Sequence, residues 1–210
     1  MFRVLILASA SIARHRLLMQ AGIIHEVIIS ELDESKLKNH DPVKLVQGLA
    51  SAKAEIVASR IRSGSFENKW RNETCAVLGC DSVFEFEGEV FGKPSNQNEA
   101  IRRWEKMSAK SGFLHTGHSL DLVHINGSNG SWTDKNFSIK KTISTKVNFV
   151  ALSKKDIQEY VATGEPLICA GGFALEGKGS QFISSIEGCY SNVIGLSLPW
   201  LRESLTRIVH

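Results

Sequence analysis

Apolar and polar positions along this 210-residue chain switch repeatedly between the periods of strand and helix. Val4 to Ala8 is an unbroken apolar run, short enough for a buried strand. Ser9-Ala10-Ser11 then predicts a tight turn, with a helix starting near Ser11. In that helix Leu17, Leu18 and Ala21 fall on one side, Arg14, Arg16 and Gln20 fall elsewhere, and Gly22 stands where a terminating glycine belongs. Ile23 to Ile29 reads as a second strand. Asp41-Pro42 opens a long helix, with Asp as N-cap and Pro in its first position, and the stripe Leu45, Leu49, Ala52 and Ile56 carries it to about Arg62. The polar, glycine-bearing segment Ser63 to Thr74 is a loop.

Cys75 to Cys80 reads as a buried strand, and Phe84 to Phe91 as a hairpin turning at Glu87-Gly88. A helix from Gln97 to Ala109 follows. Two longer strands, 113–125 and 137–150, flank a polar turn from Asn126 to Lys135. Ser153 starts another helix with Asp156 at the capping-box position, and Gly164 ends it. The glycine-rich stretch 164–195 leads to a last helix from about Leu198. Helices and strands mix without strict alternation, which predicts an α/β fold of the mixed α+β kind, on one domain spanning 1–210. The long hairpin and the glycine-rich stretch are candidates for a second lobe.

Composition narrows the classes. The chain is 42% hydrophobic and 22% charged, as ordinary globular proteins are. Its 25 Lys+Arg and 22 Asp+Glu leave a formal charge of +3, with the basic residues scattered, which argues against a nucleic-acid partner. No apolar run reaches membrane-spanning length, so no membrane partner is expected. Four cysteines without a C-x-x-C pair argue against zinc and fit a reducing, cytoplasmic setting. The first residues could also be read as a targeting segment, with Ala8-Ser9-Ala10 as its cleavage site. The apolar run is shorter than a secretory signal requires, and a helix-like pattern follows it.

The same stretch has a chemical reading. A helix N-terminus offers unpaired N–H groups and a positive dipole end, suited to a phosphate. Ser9 and Ser11 add hydroxyls, and Arg14, one turn in, can return to the same anion. Asp81 directly follows the apolar run CAVLGC, which places a carboxylate at the end of a buried strand, where α/β sheets bind ligands. A two-residue turn at Glu87-Gly88 would set Ser82 opposite Lys93 and make Asp81 and Lys93 neighbours. Lys53 borders the apolar stripe of its helix, and Asp33-Glu34 follows a strand end. Hydroxyls, cations and carboxylates in these places are the equipment for a phosphate ester and a divalent metal.

In order along the chain, the blocks LASAS…R..LL, DE, LASAKA, LGCDS…GE.FGKP, SG..H, LS..DI..Y..TGEP and AGGFALEGKGS.FI..I.G.Y.NV.GL.L resemble the Maf nucleotide pyrophosphatase family from Leu5 to Leu205. The resemblance implies a twisted mixed sheet with a central cleft between two lobes, similar to the inosine-triphosphate pyrophosphatases. It implies hydrolysis of a nucleoside triphosphate to the monophosphate and pyrophosphate, with Mg²⁺ or Mn²⁺. It makes Asp81 the proton acceptor and a metal ligand with Glu34, and gives phosphate contacts to Ser9, Ser11, Arg14, Lys53 and Lys93. A homodimer stays open as an assembly.

The departures fall at base selection. The family usually reads S-P-R-R or S-P-W-R where this chain has Ser11-Ile12-Ala13-Arg14, so a side chain linked to base choice is replaced by Ala13. Ser82 stands where the pyrimidine-triphosphate members usually carry Thr. Glu176 stands where they carry Gln, as in members preferring 7-methyl-GTP. The resemblance therefore leans toward a modified purine over dTTP or UTP. Ile12 and Ala13 also leave a second reading, a catalytically weak nucleotide-binding regulatory protein of the same fold.

Overall fold

The computed structural model describes residues 2–66, 69–70, 73–124 and 137–209. Its elements are β1 (Val4–Leu7), α1 (Ile12–Gln20), β2 (His25–Val27), α2 (Pro42–Arg62), β3 (Thr74–Phe86), β4 (Glu89–Phe91), α3 (Gln97–Met107), β5 (Ser111–His124), β6 (Ser138–Phe149), α4 (Lys154–Ala162), β7 (Ile183–Glu187), α5 (Tyr190–Ile194) and α6 (Leu198–Val209). The strands hydrogen-bond in the order β2-β1-β3-β5-β6-β7, with β4 on β3. β1 is parallel to both β2 and β3, whereas β3–β4 and β6–β7 are antiparallel. The expected mixed α/β class is therefore the observed one. No described helix is long and apolar enough to cross a membrane. The expected turn from Asn126 to Lys135 lies outside the described residues, as do positions 67, 68, 71 and 72 of the loop before β3.

The chain divides into two compact units. The first comprises Met1–Asp81, Gly117–Thr142 and Leu196–His210. Here β1 lies between two parallel neighbours, which is why its side chains read as a continuous apolar run. The Asp41 carboxylate accepts from the N–H groups of Val43 (2.9 Å) and Lys44 (3.2 Å), so α2 starts where its cap signal puts it. Its buried face is rotated from the expected stripe. Val46, Leu49, Ala50, Lys53, Ala54, Val57, Ala58 and Ile61 are buried, while Leu45, Ala52 and Ile56 are only half-buried. Two glycines seat this face on the sheet. A Cβ on Gly79 of β3 would stand 2.1 Å from the Ala50 carbonyl oxygen, and one on Gly117 of β5 2.2 Å from that of Val46. α1 departs from expectation in the same way: Arg14 joins Leu17 and Leu18 on the buried face, and Ala21 is exposed. β2 keeps only three residues of the expected strand, and Ile24 beside it is almost fully exposed.

The second unit comprises Ser82–Thr116 and Ile143–Gly195. The hairpin register is the expected one, with Phe84 opposite Phe91, Glu85 opposite Val90 and Phe86 opposite Glu89. Glu87 (φ 50°) and Gly88 (φ 81°) are both left-handed, as a two-residue turn matched to strand twist requires. The core gathers Phe84, Phe86, Trp104, Leu114, Phe149, Tyr160 and Phe173. α3 ends at Met107, and Ala109 beyond it turns the chain at φ 58° with its N–H on the Val150 carbonyl. α4 carries the expected capping box between Ser153 and Asp156.

Candidate active site

The anion loop is closed by its own side chains. Ser11 caps α1, its Oγ accepting from the Arg14 N–H at 3.4 Å. The Ser9 Oγ accepts from the Ser11 N–H (3.2 Å) and from Arg14 Nη1 (3.0 Å). A hydroxyl has two lone pairs and one proton, so Ser9 is left with an O–H to donate. Donor hydroxyl, guanidinium and first-turn N–H groups thus share one place at the start of α1, a combination that selects anions. Ala13, half-buried, stands directly before Arg14.

Lys53 is the centre of the second cluster. Its Nζ donates to Asp81 Oδ1 and lies 2.6 Å from Glu34 Oε1. Lys53 lies on the buried face of α2 with Ala50, Ala54 and Val57, and this position brings its ammonium to the buried Asp81. Asp33 supplies local order: its carboxylate accepts from the Ser35 N–H at 3.2 Å and caps the short 3-10 turn Glu34–Lys36, while Glu34 reaches the ammonium. Asp81 stands well inside β3 and not at a strand end, because β3 continues without a break into the hairpin arm. β4 stops at Phe91, so the ladder does not extend to Ser82 and Lys93, and the cation paired with Asp81 is Lys53.

Ser9, Arg14, Lys53 and Asp81 are each under a tenth exposed, so the three charged side chains interact in a medium far less screening than water. Burial pushes the Asp81 carboxyl above its ordinary 3.8. The Lys53 and Arg14 charges work against that push, and Glu34 adds to it. Cys80, next in the chain and fully buried, has its thiol pushed up to about 11 by burial despite Arg14 and Lys53. It therefore stays a neutral thiol beside the carboxylate. Sequence reasoning assigned it no place in the site, and its apolar strand context gave no signal of one.

The remaining candidates belong to the second unit. The Ser82 hydroxyl is 2.9 Å from that of Thr116, which donates onward to the Asn192 carbonyl at 3.1 Å. Lys93 and Glu176 both act on Cys169, whose thiol burial raises to about 11, Glu165 and Glu176 adding to the rise and Lys93 opposing it. Glu176 is exposed. Among the described residues no three or more His, Cys, Asp or Glu side chains gather as a metal cage.

Known proteins resemble this chain along nearly its whole length. A family model described as Maf-like protein matches residues 4–208. A nucleoside triphosphate pyrophosphatase from Prochlorococcus marinus is 52% identical over 205 residues, covering 97% of this chain and 96% of the relative. This chain is also similar to proteins of the same name from Parasynechococcus marenigrum (53% over 201 residues, 96% and 94% covered) and a Synechococcus species (51% over 199 residues, 95% and 100% covered). With the match spanning residues 4–208, the chain belongs to the Maf-like protein family.

Proposed function

We propose that this chain is a nucleoside triphosphate pyrophosphatase, cleaving its substrate to the monophosphate and pyrophosphate. The observation that carries the reading is the buried Asp81 carboxylate, held by Lys53 within the same unit as the Ser9–Arg14 anion loop. The names of relatives about half identical over more than nine-tenths of the chain support it. In the reaction a water oxygen bonds to the α-phosphorus, the bond from that phosphorus to the bridging oxygen breaks, and pyrophosphate leaves with the electron pair. Asp81 takes the proton of the attacking water, for which a carboxyl raised above its ordinary range is better matched than an exposed one. Ser9, Ser11 and Arg14 hold phosphate oxygens, and Lys53 orients Asp81 and offsets charge developing in the transition state. Lys93 is proposed as a further phosphate contact.

The residues also suit a divalent cation. The oxygens of Asp81 and Glu34 converge on one ammonium, which marks a point where two hard donors meet a positive charge. Two carboxylates completed by substrate phosphates are the usual holding of Mg²⁺, and Mn²⁺ takes similar donors. Bound there, the ion would neutralise phosphate charge.

For the base we propose a modified purine such as 7-methyl-GTP. Glu176 presents an exposed carboxylate that would favour a guanine N–H edge or a cationic ring, and Ala13 and Ser82 are the other two proposed selectivity positions. The free cysteines support a reducing, cytoplasmic setting. The reading is tested by pyrophosphate release from a panel of nucleoside triphosphates, methylated bases included, with Mg²⁺ or Mn²⁺. Release from at least one member, fastest with the modified purine, is expected. Binding without release from any of them would favour the regulatory alternative.

A further inference from the structure

The segment that carries Glu176 is clasped by two residues that have no assigned part in the chemistry. Tyr160 lies in the last turn of α4. Gly164, at φ 76°, turns the chain just past that helix and brings Glu165 back toward Tyr160. Glu165 Oε1 accepts from the Tyr160 hydroxyl at 2.7 Å and from the Gly179 N–H at 2.9 Å. Glu165 Oε2 accepts from the Lys178 N–H at 2.8 Å. The Tyr160 oxygen in turn accepts from the Ala174 N–H at 3.3 Å. Both ends of segment 174–179 are thus tied to one carboxylate–phenol pair, with Glu176 between the ties.

The glycines of ALEGKG make room for this clasp. They admit these two side chains and not a ligand. A Cβ on Gly177 would stand 2.3 Å from Glu165 Oε2, and one on Gly179 2.4 Å from the Tyr160 hydroxyl oxygen. Protonation states support the clasp. Burial tends to raise the Glu165 carboxyl, but the bonds from Tyr160, Gly179 and Lys178 outweigh it and hold it below the usual range. Burial and Glu165 together push the Tyr160 phenol above its ordinary value, so it remains a donor.

We propose that Tyr160 and Glu165 are positioning residues for base selection: by fixing the backbone of 174–179 they fix the point from which Glu176 meets the base. The inference rests on the reading of Glu176 given above. A clasp that served stability alone would slow all substrates alike when removed. A positioning clasp changes the ratio between bases.

The experiment measures kcat/KM for 7-methyl-GTP and for UTP in the wild type, Tyr160→Phe, Glu176→Gln and the double variant. Tyr160→Phe keeps the ring packed against Trp104 and Phe182 and removes only the hydroxyl. It should lower the purine-to-pyrimidine ratio several-fold, leave kcat for UTP within about two-fold, and speed amide exchange at Ala174, whose N–H loses its acceptor. The double variant should show the ratio of Glu176→Gln alone, because both changes act through one carboxylate. Glu165→Gln, which turns one of the two acceptor oxygens of the clasp into a donor, should lower the ratio at least as far as Tyr160→Phe, and replaces Tyr160→Phe if that variant does not fold. A ratio that moves in Glu176→Gln but in neither clasp variant overturns the positioning role and leaves the Glu176 reading standing. A ratio unmoved by Glu176→Gln overturns both, whatever the amide exchange shows.

Discussion

Lys53 of α2 donates to the Asp81 carboxylate of β3, and both side chains are at least nine-tenths shielded from solvent. The two variants that break this pair should differ. Asp81→Asn keeps the shape and leaves Lys53 its contact with Glu34, so turnover should fall about 10²–10⁴-fold with little loss of stability. Lys53→Met strands the buried carboxylate and should cost up to about 3–5 kcal/mol in denaturant unfolding. Near-normal turnover in Asp81→Asn would remove Asp81 from the mechanism. Equal stability loss in the two variants would show that Glu34 does not share the ammonium.

The raised Asp81 carboxyl sets a direction for pH. Proton acceptance needs the ionised form, so kcat/KM should fall as pH drops through a midpoint above the ordinary 3.8. The stability effect has the opposite sign. A carboxyl whose folded-state pKa is raised stabilises the fold while protonated, and that contribution is lost as pH rises through the folded value. A pH–rate profile with Asp81→Asn as reference checks the first claim. An acid limb retained in that variant belongs to another group.

Arg14 should read phosphate and not base. Its Nη1 donates to Ser9 at the start of α1, well placed for an anion. Losing a hydrogen bond to a charged group costs about 1.5–3 kcal/mol, so Arg14→Ala should weaken every triphosphate by about 10- to 100-fold. Binding constants across the panel decide this. A loss confined to one base would make Arg14 a selectivity residue.

Gly79 should be intolerant for a reason that reaches the site. An added methyl meets backbone atoms, the Ala50 carbonyl oxygen at 2.1 Å and the Ala54 nitrogen at 2.8 Å, which cannot swing aside. Gly79→Ala should cost at least about 1–3 kcal/mol. Because α2 must lift from β3 at the level of Lys53, activity should fall further than in an equally destabilised variant distant from α2. Thermal unfolding and turnover measured together test the coupling.

Signals that close within a few residues were plain in the sequence. The Asp41 and Ser153 caps satisfy N–H groups two or three positions on, and the hairpin register follows from the Glu87-Gly88 turn alone. What the pattern misplaced are charges that tertiary partners make bearable inside. Arg14 and Lys53 look like solvent-facing residues because an isolated cation belongs there. Ser9 and Asp81 reverse that, and Lys53 meets Asp81 from 28 positions away in the chain. Asp81 looks like the end of a strand because an acid commonly breaks an apolar run, yet β3 carries it internally opposite the ammonium. The family blocks point to the candidate site residues, but no local rule shows that Gly177 and Gly179 make room for Glu165 and Tyr160.

The left-handed turn at Ala109 bears on how far this protein stands from its stability ceiling. At φ 58° a side chain crowds its own backbone, and a glycine would sit there without that strain. The N–H that bonds the Val150 carbonyl is common to both residues, so the exchange sacrifices no hydrogen bond. Here the usual penalty for glycine runs against a conformation that favours it, and evolution has left a small reserve unused. Natural chains need only clear the threshold their function demands. A thermostabilised form can therefore start at a position remote in sequence from every residue discussed for the reaction.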